Sequence, residues 1–126
     1  MCRTQKATDR AGGTTEIWVA RADGSHPEQR TNGVGRYQGT PRWSPDGRWL
    51  AFDSRGQDGM GHVWIVDAGG GPPRRLTADS HAENVPAWSH DGRWVYYRSA
   101  RTGTREIWRV PLAGGTAELC RGLGGV

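Results

Sequence analysis

Three residues with metal-binding side chains alternate along one short segment. Asp79, His81 and Glu83 could present two carboxylates and one imidazole to a metal ion. No further ligand accompanies them, so a polar loop is the favoured interpretation and no metal or other cofactor is expected. Asp46 and Asp91 could act as paired acids, but each stands before glycine in a turn sequence, where the carboxylate accepts local hydrogen bonds.

Motifs for catalysis are absent from the sequence. It contains no GxSxG, HExxH or CxxC pattern. The segment from Gly33 to Gly39 is glycine-rich, but its spacing does not fit a dinucleotide-binding loop and a strand pattern follows it. Cys2 and Cys120 have neither metal-ligand spacing nor a framework of pairs. We therefore expect no catalysis from this chain, although an enzyme domain could lie outside it.

Residues suited to recognition fall in four variable segments between strand patterns, at 32–40, 54–61, 78–85 and 99–105. Function on a rigid scaffold is typically carried by such loops, and arginine and tyrosine supply forked donors and an aromatic surface. The expected ligand is a protein, a peptide or a small polar molecule. The candidate ligand-binding residues are Arg36, Tyr37, Arg55, His81, Glu83, Asn84 and Arg101.

Charge and hydropathy exclude several classes of protein. The net charge is +4, but the 16 arginines and one lysine are spread along the chain among acidic residues, which is typical of a solvated surface, so no nucleic-acid partner is expected. The apolar run from Val63 to Val66 is too short to span a bilayer. No apolar stretch follows the charges at the N-terminus, so no signal peptide is predicted.

An internal repeat in the sequence indicates which secondary-structure elements position these residues. The block from Pro41 to Phe52 recurs 45 residues later, from Pro86 to Tyr97. A second block occurs three times, around Trp18, Trp64 and Trp108, and each time a short block follows it. All seven tryptophans fall on three repeat positions, which makes core or interlayer packing the favoured role for them. The residues predicted to define the repeat are Trp18, Trp43, Asp46, Gly47, Trp64, Trp88, Asp91, Gly92 and Trp108.

Each block has the pattern of a β-strand. Residues 48–54 alternate between two faces, and residues 63–66 are apolar on both, as in a strand between two packed sheets. Pro45-Asp46-Gly47 supplies turn chemistry between strands. Four strands in a period near 45 residues are typical of one blade of a β-propeller.

The quoted blocks, WSPDGRWLAFDS followed by HVWIVDAGGGPPRRLT, resemble the TolB-type, WD-repeat-like propeller repeat. The resemblance implies four-stranded antiparallel blades around a central channel. Such repeats occur in periplasmic TolB-type proteins, in propellers that precede serine peptidase domains, and in sensor regions of bacterial regulators or kinases. The resemblance therefore does not decide between a binding module, a substrate-gating propeller and a sensor. It also leaves open whether the location is periplasmic or cytoplasmic.

The expected fold class is an all-β partial propeller, an open arc of about ten strands. The predicted organisation is a half blade at 1–34 with two strands, a full blade at 35–78 and a full blade at 79–122. Closed propellers have about four to eight blades. An arc of this size leaves terminal blade faces uncovered, so missing blades or other copies of the chain are expected partners. Arg30 stands where the pattern has leucine, which predicts a weakly held outer strand in the first blade.

Overall fold

The computed structural model describes residues 3–10, 14–35, 37–56, 60–77 and 82–120. Within these ranges the regular structure consists of eleven β-strands, and the prediction of an all-β chain is confirmed. The strands are β1 (Arg3–Arg10), β2 (Thr14–Arg21), β3 (Glu28–Gln29), β4 (Tyr37–Trp43), β5 (Trp49–Arg55), β6 (Gly61–Asp67), β7 (Arg74–Arg75), β8 (Glu83–Trp88), β9 (Trp94–Ser99), β10 (Glu106–Pro111) and β11 (Glu118–Leu119).

The strands form three successive antiparallel units. The first unit contains β1 to β3, the second β4 to β7, and the third β8 to β11. Within each unit every strand pairs with the next one in sequence, as in a meander. One parallel pairing, between Thr15 and Tyr37, connects the first unit to the second. Strand β8 contacts β4, β5 and β6, so the third unit packs against the second.

The first unit has one more strand than the sequence predicts. Two strands were expected before residue 35, whereas β1 pairs along its whole length with β2, from Arg3 opposite Arg21 to Arg10 opposite Thr14. The β1 sequence, RTQKATDR, has no apolar alternation, and that is the signal on which a strand prediction depends. The pairing is provided by the backbone of β2, which offers an edge to any extended segment.

The turns between the first two strands of the second and third units are built identically. The Ser44 hydroxyl donates to Asp46 Oδ1 (2.6 Å) and accepts from the Trp49 backbone N–H (2.9 Å), while Gly47 has a φ of 73°. Ser89, Asp91, Trp94 and Gly92 repeat these bonds at 2.7 and 3.0 Å and a φ of 75°. The positive φ requires glycine, and the aspartate closes the turn.

Two apolar clusters lie between the units. Ile17 and Val19 of the first unit pack with Leu50, Phe52 and Val66 of the second, and Trp43 and Trp64 flank this cluster. On the opposite face of the second unit, Ala51, Val63 and Ile65 pack with the third unit, whose contribution is Val95, Tyr97, Trp108 and Val110. Both faces of the second unit are therefore buried, as the unbroken apolar run in β6 indicates.

The outermost strand of the third unit has a different register from the one suggested by its sequence. Leu119-Cys120 resembles Leu76-Thr77, yet Leu119 pairs with Trp108 just as Arg75 pairs with Trp64. Cys120 therefore occupies the position of Leu76, and the position of Thr77 falls to residue 121, an arginine outside the described residues. The paired glycines Gly70-Gly71 and Gly114-Gly115, all with positive φ, set this alignment.

Arg30, at the corresponding position of the first unit, compensates for the missing leucine. Its Nε donates to the Ala68 carbonyl oxygen of the second unit (2.6 Å), and its Nη2 pairs with Glu28 (2.7 Å). Arg74 makes the equivalent bond from the second unit to the Leu112 carbonyl oxygen of the third (2.8 Å). The outer strand β3 is thus held by hydrogen bonds to the neighbouring unit.

Candidate functional site

A cavity of about 440 Å³ opens where the innermost strands of the second and third units meet. It lies at the end of the arc where β4 and β8 begin and where β5 and β9 end, opposite the Asp-Gly turns. Its walls therefore come from separate repeats, held in place by the shared apolar cluster. The lining residues are Thr15, Tyr37, Gln38, Gly39, Thr40, Asp53, Arg55, Asn84, Val85 and Arg98.

The charged groups of the cavity are two arginines and one aspartate. Asp53 Oδ2 accepts a hydrogen bond from the Thr40 hydroxyl and another from the Val85 backbone N–H (3.3 Å). Arg55 and Arg98 are exposed, and neither guanidinium is hydrogen-bonded or ion-paired within the part of the chain that the structure describes. The cavity thus combines an engaged carboxylate with two available cations, a surface suited to a carboxylate or another anion.

The cavity wall contains a repeated backbone irregularity. The pairing of β4 with β5 shifts between Gly39 and Arg42, and that of β8 with β9 shifts between Asn84 and Ala87. Bulges of this kind re-aim side chains and are frequent beside binding sites. At each bulge one β-branched residue has a positive φ, 45° for Thr40 and 57° for Val85.

The predicted ligand-binding residues divide into three groups. Tyr37, Arg55 and Asn84 line the cavity together. Glu83 and Arg101 do not line it: Glu83 is fully buried beside His62, and the Arg101 guanidinium lies over the Trp108 ring, 3.7 Å from its centroid. Arg36 and His81 lie outside the described residues, as does Asp79.

Among the cavity residues that sequence reasoning missed are Asp53, Arg98 and Gln38. Asp53 and Arg98 stand at the same repeat position, 45 residues apart, and both belong to strands. Both lie near the ends of β5 and β9, just before the variable loops from which the site was predicted. Gln38 lies at the start of β4 and is 1% exposed. The repeat alignment could have found the first two, because a strand position that changes from Asp to Arg is not a core position.

Gln38 belongs to a buried polar network at the junction between the first and second units. Its Nε2 donates to Glu16 Oε1 (3.1 Å) and to the Thr15 carbonyl oxygen (2.9 Å). Glu16, 1% exposed, also accepts from the Thr31 hydroxyl (2.6 Å) and the Gly33 backbone N–H (3.0 Å). Because the carboxyl group is out of contact with water, these donors satisfy the hydrogen-bonding capacity of its oxygens.

The junction between the second and third units has the same plan with different side chains. His62 takes the position of Glu16, and Glu83 takes that of Gln38. His62 Nδ1 and Glu83 Oε1 are 2.8 Å apart. The Thr77 hydroxyl accepts from the Val63 backbone N–H (3.0 Å), as the Thr31 hydroxyl does from that of Ile17 (2.9 Å). We call Glu16–Gln38 and His62–Glu83 the junction pairs; each combines one donor with one acceptor.

Other features of the described residues add no second chemistry. No cluster of three His, Cys, Asp or Glu residues suited to a metal occurs in the described ranges. Nor do those ranges include a helix long and apolar enough to cross a membrane. Two further cavities, of about 510 and 310 Å³, lie at the outer edge of the first unit, where Arg30 and the β6–β7 turn meet. Burial raises the pKa of the Cys120 thiol above its ordinary value.

Comparison with known proteins gives relatives for nearly the whole chain. It is 32% identical over 106 residues to the uncharacterised protein Atu1656 of Agrobacterium fabrum, which covers 84% of the chain and 35% of that protein. It is 41% identical over 66 residues to the uncharacterised peptidase YuxL of Bacillus subtilis, covering 51% of the chain and 10% of that protein. The chain thus spans about a third or less of the curated relatives that it matches.

A solved structure has the same arrangement of strands. The structure of a putative TolB from Agrobacterium tumefaciens superposes with a TM-score of 0.81 at 29% identity, covering 94% of this chain and 42% of that one. The predicted propeller fold is thereby confirmed. The family model described as the TolB beta propeller domain, PD40, matches residues 8–124. The chain therefore belongs to the TolB β-propeller (PD40) family.

Proposed function

We propose that this chain is a non-enzymatic propeller module that binds a peptide segment of another protein in the cavity between β4 and β8. The observation that carries the proposal is the convergence of Tyr37, Arg55, Asn84 and Arg98 on one opening, from strands of two repeats. The Asp53 carboxylate there is engaged by the Thr40 hydroxyl and the Val85 backbone N–H of the two bulges, which supports a structural role for it and a site that binds without chemistry.

The composition of the cavity favours a peptide that carries a carboxylate. Tyr37 and Val85 are 44% and 38% exposed, and they offer apolar surface beside the two available guanidinium groups. A peptide supplies both chemistries, because an apolar side chain can cover Tyr37 while a side-chain or terminal carboxylate is held by Arg55 and Arg98. The same two guanidinium groups also suit a small polar ligand that carries an anionic group.

The test uses an immobilised library of random heptapeptides as the probe. We expect the chain to be retained, and retention to fall at least about tenfold, equivalent to about 1.4 kcal/mol, in Arg55→Ala/Arg98→Ala. The matched control is Arg48→Ala/Arg93→Ala, which removes the same charge from exposed positions next to the Asp-Gly turns. Equal loss in both variants would indicate general charge attraction and reject the site.

A second candidate function is the propeller part of a serine peptidase, in which the blades gate access to a separate hydrolase domain. The identity of 41% with an uncharacterised peptidase of Bacillus subtilis favours it. The DNA that flanks the coding sequence tests this idea. An α/β-hydrolase pattern with GxSxG downstream would support it, and its absence from both flanks would reject it.

A further inference from the structure

Besides fixing the two bulges, Asp53 keeps one carboxylate oxygen available to the cavity. Its Oδ2 is engaged by Thr40 and Val85, whereas no described residue donates to Oδ1. Each oxygen of a carboxylate can accept about two hydrogen bonds, so Oδ1 can accept from a ligand. Gly39 stands opposite Asp53 on β4, and a Cβ there would lie 3.6 Å from Oδ1. Because glycine has no side chain, this oxygen is not covered from that side.

The cavity therefore holds charges of both signs that do not neutralise one another. Asp53, Arg55 and Arg98 all line it. Within the part of the chain that the structure describes, neither arginine is ion-paired to Asp53. A ligand with a carboxylate alone would engage the two arginines and leave Asp53 Oδ1 without a donor. A ligand that also carries an ammonium or guanidinium group would engage all three side chains.

The spacing of two of these charges corresponds to that of side chains on an extended peptide. Asp53 and Arg55 are two residues apart in β5, and both line the cavity. Their side chains leave the strand on the same face, with Cα atoms about 6.5–7 Å apart. An extended peptide places its own residues i and i+2 on one side at the same spacing, whereas residues i and i+1 point to opposite sides.

We propose that the cavity selects an extended peptide in which a basic and an acidic residue stand two positions apart. Asp53 binds the basic side chain, and Arg55 binds the acidic one with Arg98 as a second donor. This inference rests on the proposed binding of a peptide in the cavity and adds the sequence pattern of that peptide. Specificity comes from Asp53, because a peptide with acidic residues at both positions would place a like charge against it.

The test compares two immobilised heptapeptide libraries of identical composition, with both peptide ends blocked so that they carry no charge. In the first library lysine and glutamate are fixed two positions apart, in either order, and in the second they are adjacent. The other five positions are random and uncharged. We expect the first library to retain at least about threefold more of the chain, as one partly exposed ion pair would give. Equal retention by the two libraries would overturn the proposal.

A substitution of Asp53 assigns the preference to its carboxylate. In Asp53→Asn the amide oxygen can still accept the bonds from Thr40 and Val85, so the melting temperature should change little. The negative charge is removed, and the preference for the first library should disappear. The matched control is Asp67→Asn, which removes the same charge opposite Trp49, at the end of β5 away from the cavity, and should keep the preference.

The outcomes distinguish this proposal from the function on which it rests. If neither library retains the chain, the proposed function fails and this inference fails with it. Retention that is lost in Arg55→Ala/Arg98→Ala, yet is equal for the two libraries, rejects the sequence pattern alone. A preference that persists in Asp53→Asn also rejects it, since the basic residue would then be bound elsewhere.

Discussion

Thr40 and Val85 occupy the same position in successive units, and both have a left-handed backbone, with φ of 45° and 57°. Each precedes a proline, which further restricts its conformation. A β-branched residue in this region costs about 1–3 kcal/mol. Asp53 holds both in place, since its Oδ2 accepts from the Thr40 hydroxyl and from the Val85 backbone N–H. One carboxylate therefore fixes two bulges of the cavity wall.

Relief of this strain should stabilise the chain. Val85→Asn places a residue that tolerates positive φ at a position that is 38% exposed, so little apolar burial is lost. We expect the free energy of unfolding in urea to rise by about 1 kcal/mol. Val34→Asn, a change of the same type where φ is not positive, is the control and should give no gain. Equal effects of the two substitutions would contradict the assignment of strain to Val85.

Exchanging the two members of a junction pair should cost less stability than placing two like side chains at that junction. Gln38→Glu removes the Nε2 donor and faces Glu16 with a second buried carboxylate, so we expect a loss of about 2–3 kcal/mol in urea unfolding. Adding Glu16→Gln returns one donor and one acceptor to the junction, and part of the loss should be recovered. Strictly additive losses in this double-mutant cycle would show that the two side chains do not interact.

Substitution of Arg101 should lower stability alone, whereas substitution of Arg98 should weaken binding alone. Arg101→Ala removes the guanidinium over Trp108, and we expect a loss of about 1 kcal/mol of stability with peptide retention unchanged. Arg98→Ala should weaken retention and leave stability nearly unchanged, because Arg98 is exposed at the cavity. Thermal unfolding followed by tryptophan fluorescence and the heptapeptide assay measure the two effects. If Arg101→Ala weakened peptide retention and Arg98→Ala lowered stability instead, Arg101 would belong to the ligand site.

The Asp-Gly turns should make stability depend on acid pH. The hydrogen bond from the Ser44 hydroxyl, aided by the Arg48 backbone N–H, holds the pKa of Asp46 below its ordinary value of 3.8. Ser89 and the Arg93 backbone lower the pKa of Asp91 in the same way. A carboxyl group with a lowered folded-state pKa stabilises the fold above its unfolded-state value, and this contribution is lost as the pH falls through the folded-state pKa.

We therefore expect melting temperatures measured from pH 6 downward to decline below about pH 4, and to decline less in Asp46→Asn/Asp91→Asn. The two proteins should converge at the lowest pH, where both carboxyl groups are protonated. A wild type and a variant with parallel profiles would show that other carboxylates govern the acid response.

The repeat made the larger part of the fold predictable. Tryptophans at fixed phases and the Ser-x-Asp-Gly-Arg-Trp turns identified β4 to β6 and β8 to β10, because packing and turn chemistry both leave marks in the sequence. Strand β1 has no recognisable sequence pattern, because its pairing with β2 depends on backbone hydrogen bonds. The register of β11 is not evident from the sequence, because Leu119-Cys120 resembles Leu76-Thr77 although the preceding glycines align Cys120 with Leu76.

The candidate site was only partly accessible from the sequence. Tyr37, Arg55 and Asn84 were predicted from their position in loops, and all three line the cavity, because the loops begin where the strand ends meet. Glu83 has the same character in sequence but is buried, because His62, which lies 21 residues earlier, reaches it across the junction. A pairing between units leaves no local pattern, so a charged loop residue and a buried acceptor look alike until the neighbour is known.

The alternation of the junction pairs has a genetic consequence. Tandem repeats in DNA are prone to unequal recombination, which deletes a whole period. Loss of residues 32–77 would join Thr31 to Ala78 and bring Glu16 against Glu83 in a buried site. The shortened protein would keep its reading frame and its tryptophan phases, yet it would contain two opposed carboxylates. Unlike side chains at the two junctions therefore make the loss of one whole repeat destabilising for the shortened protein.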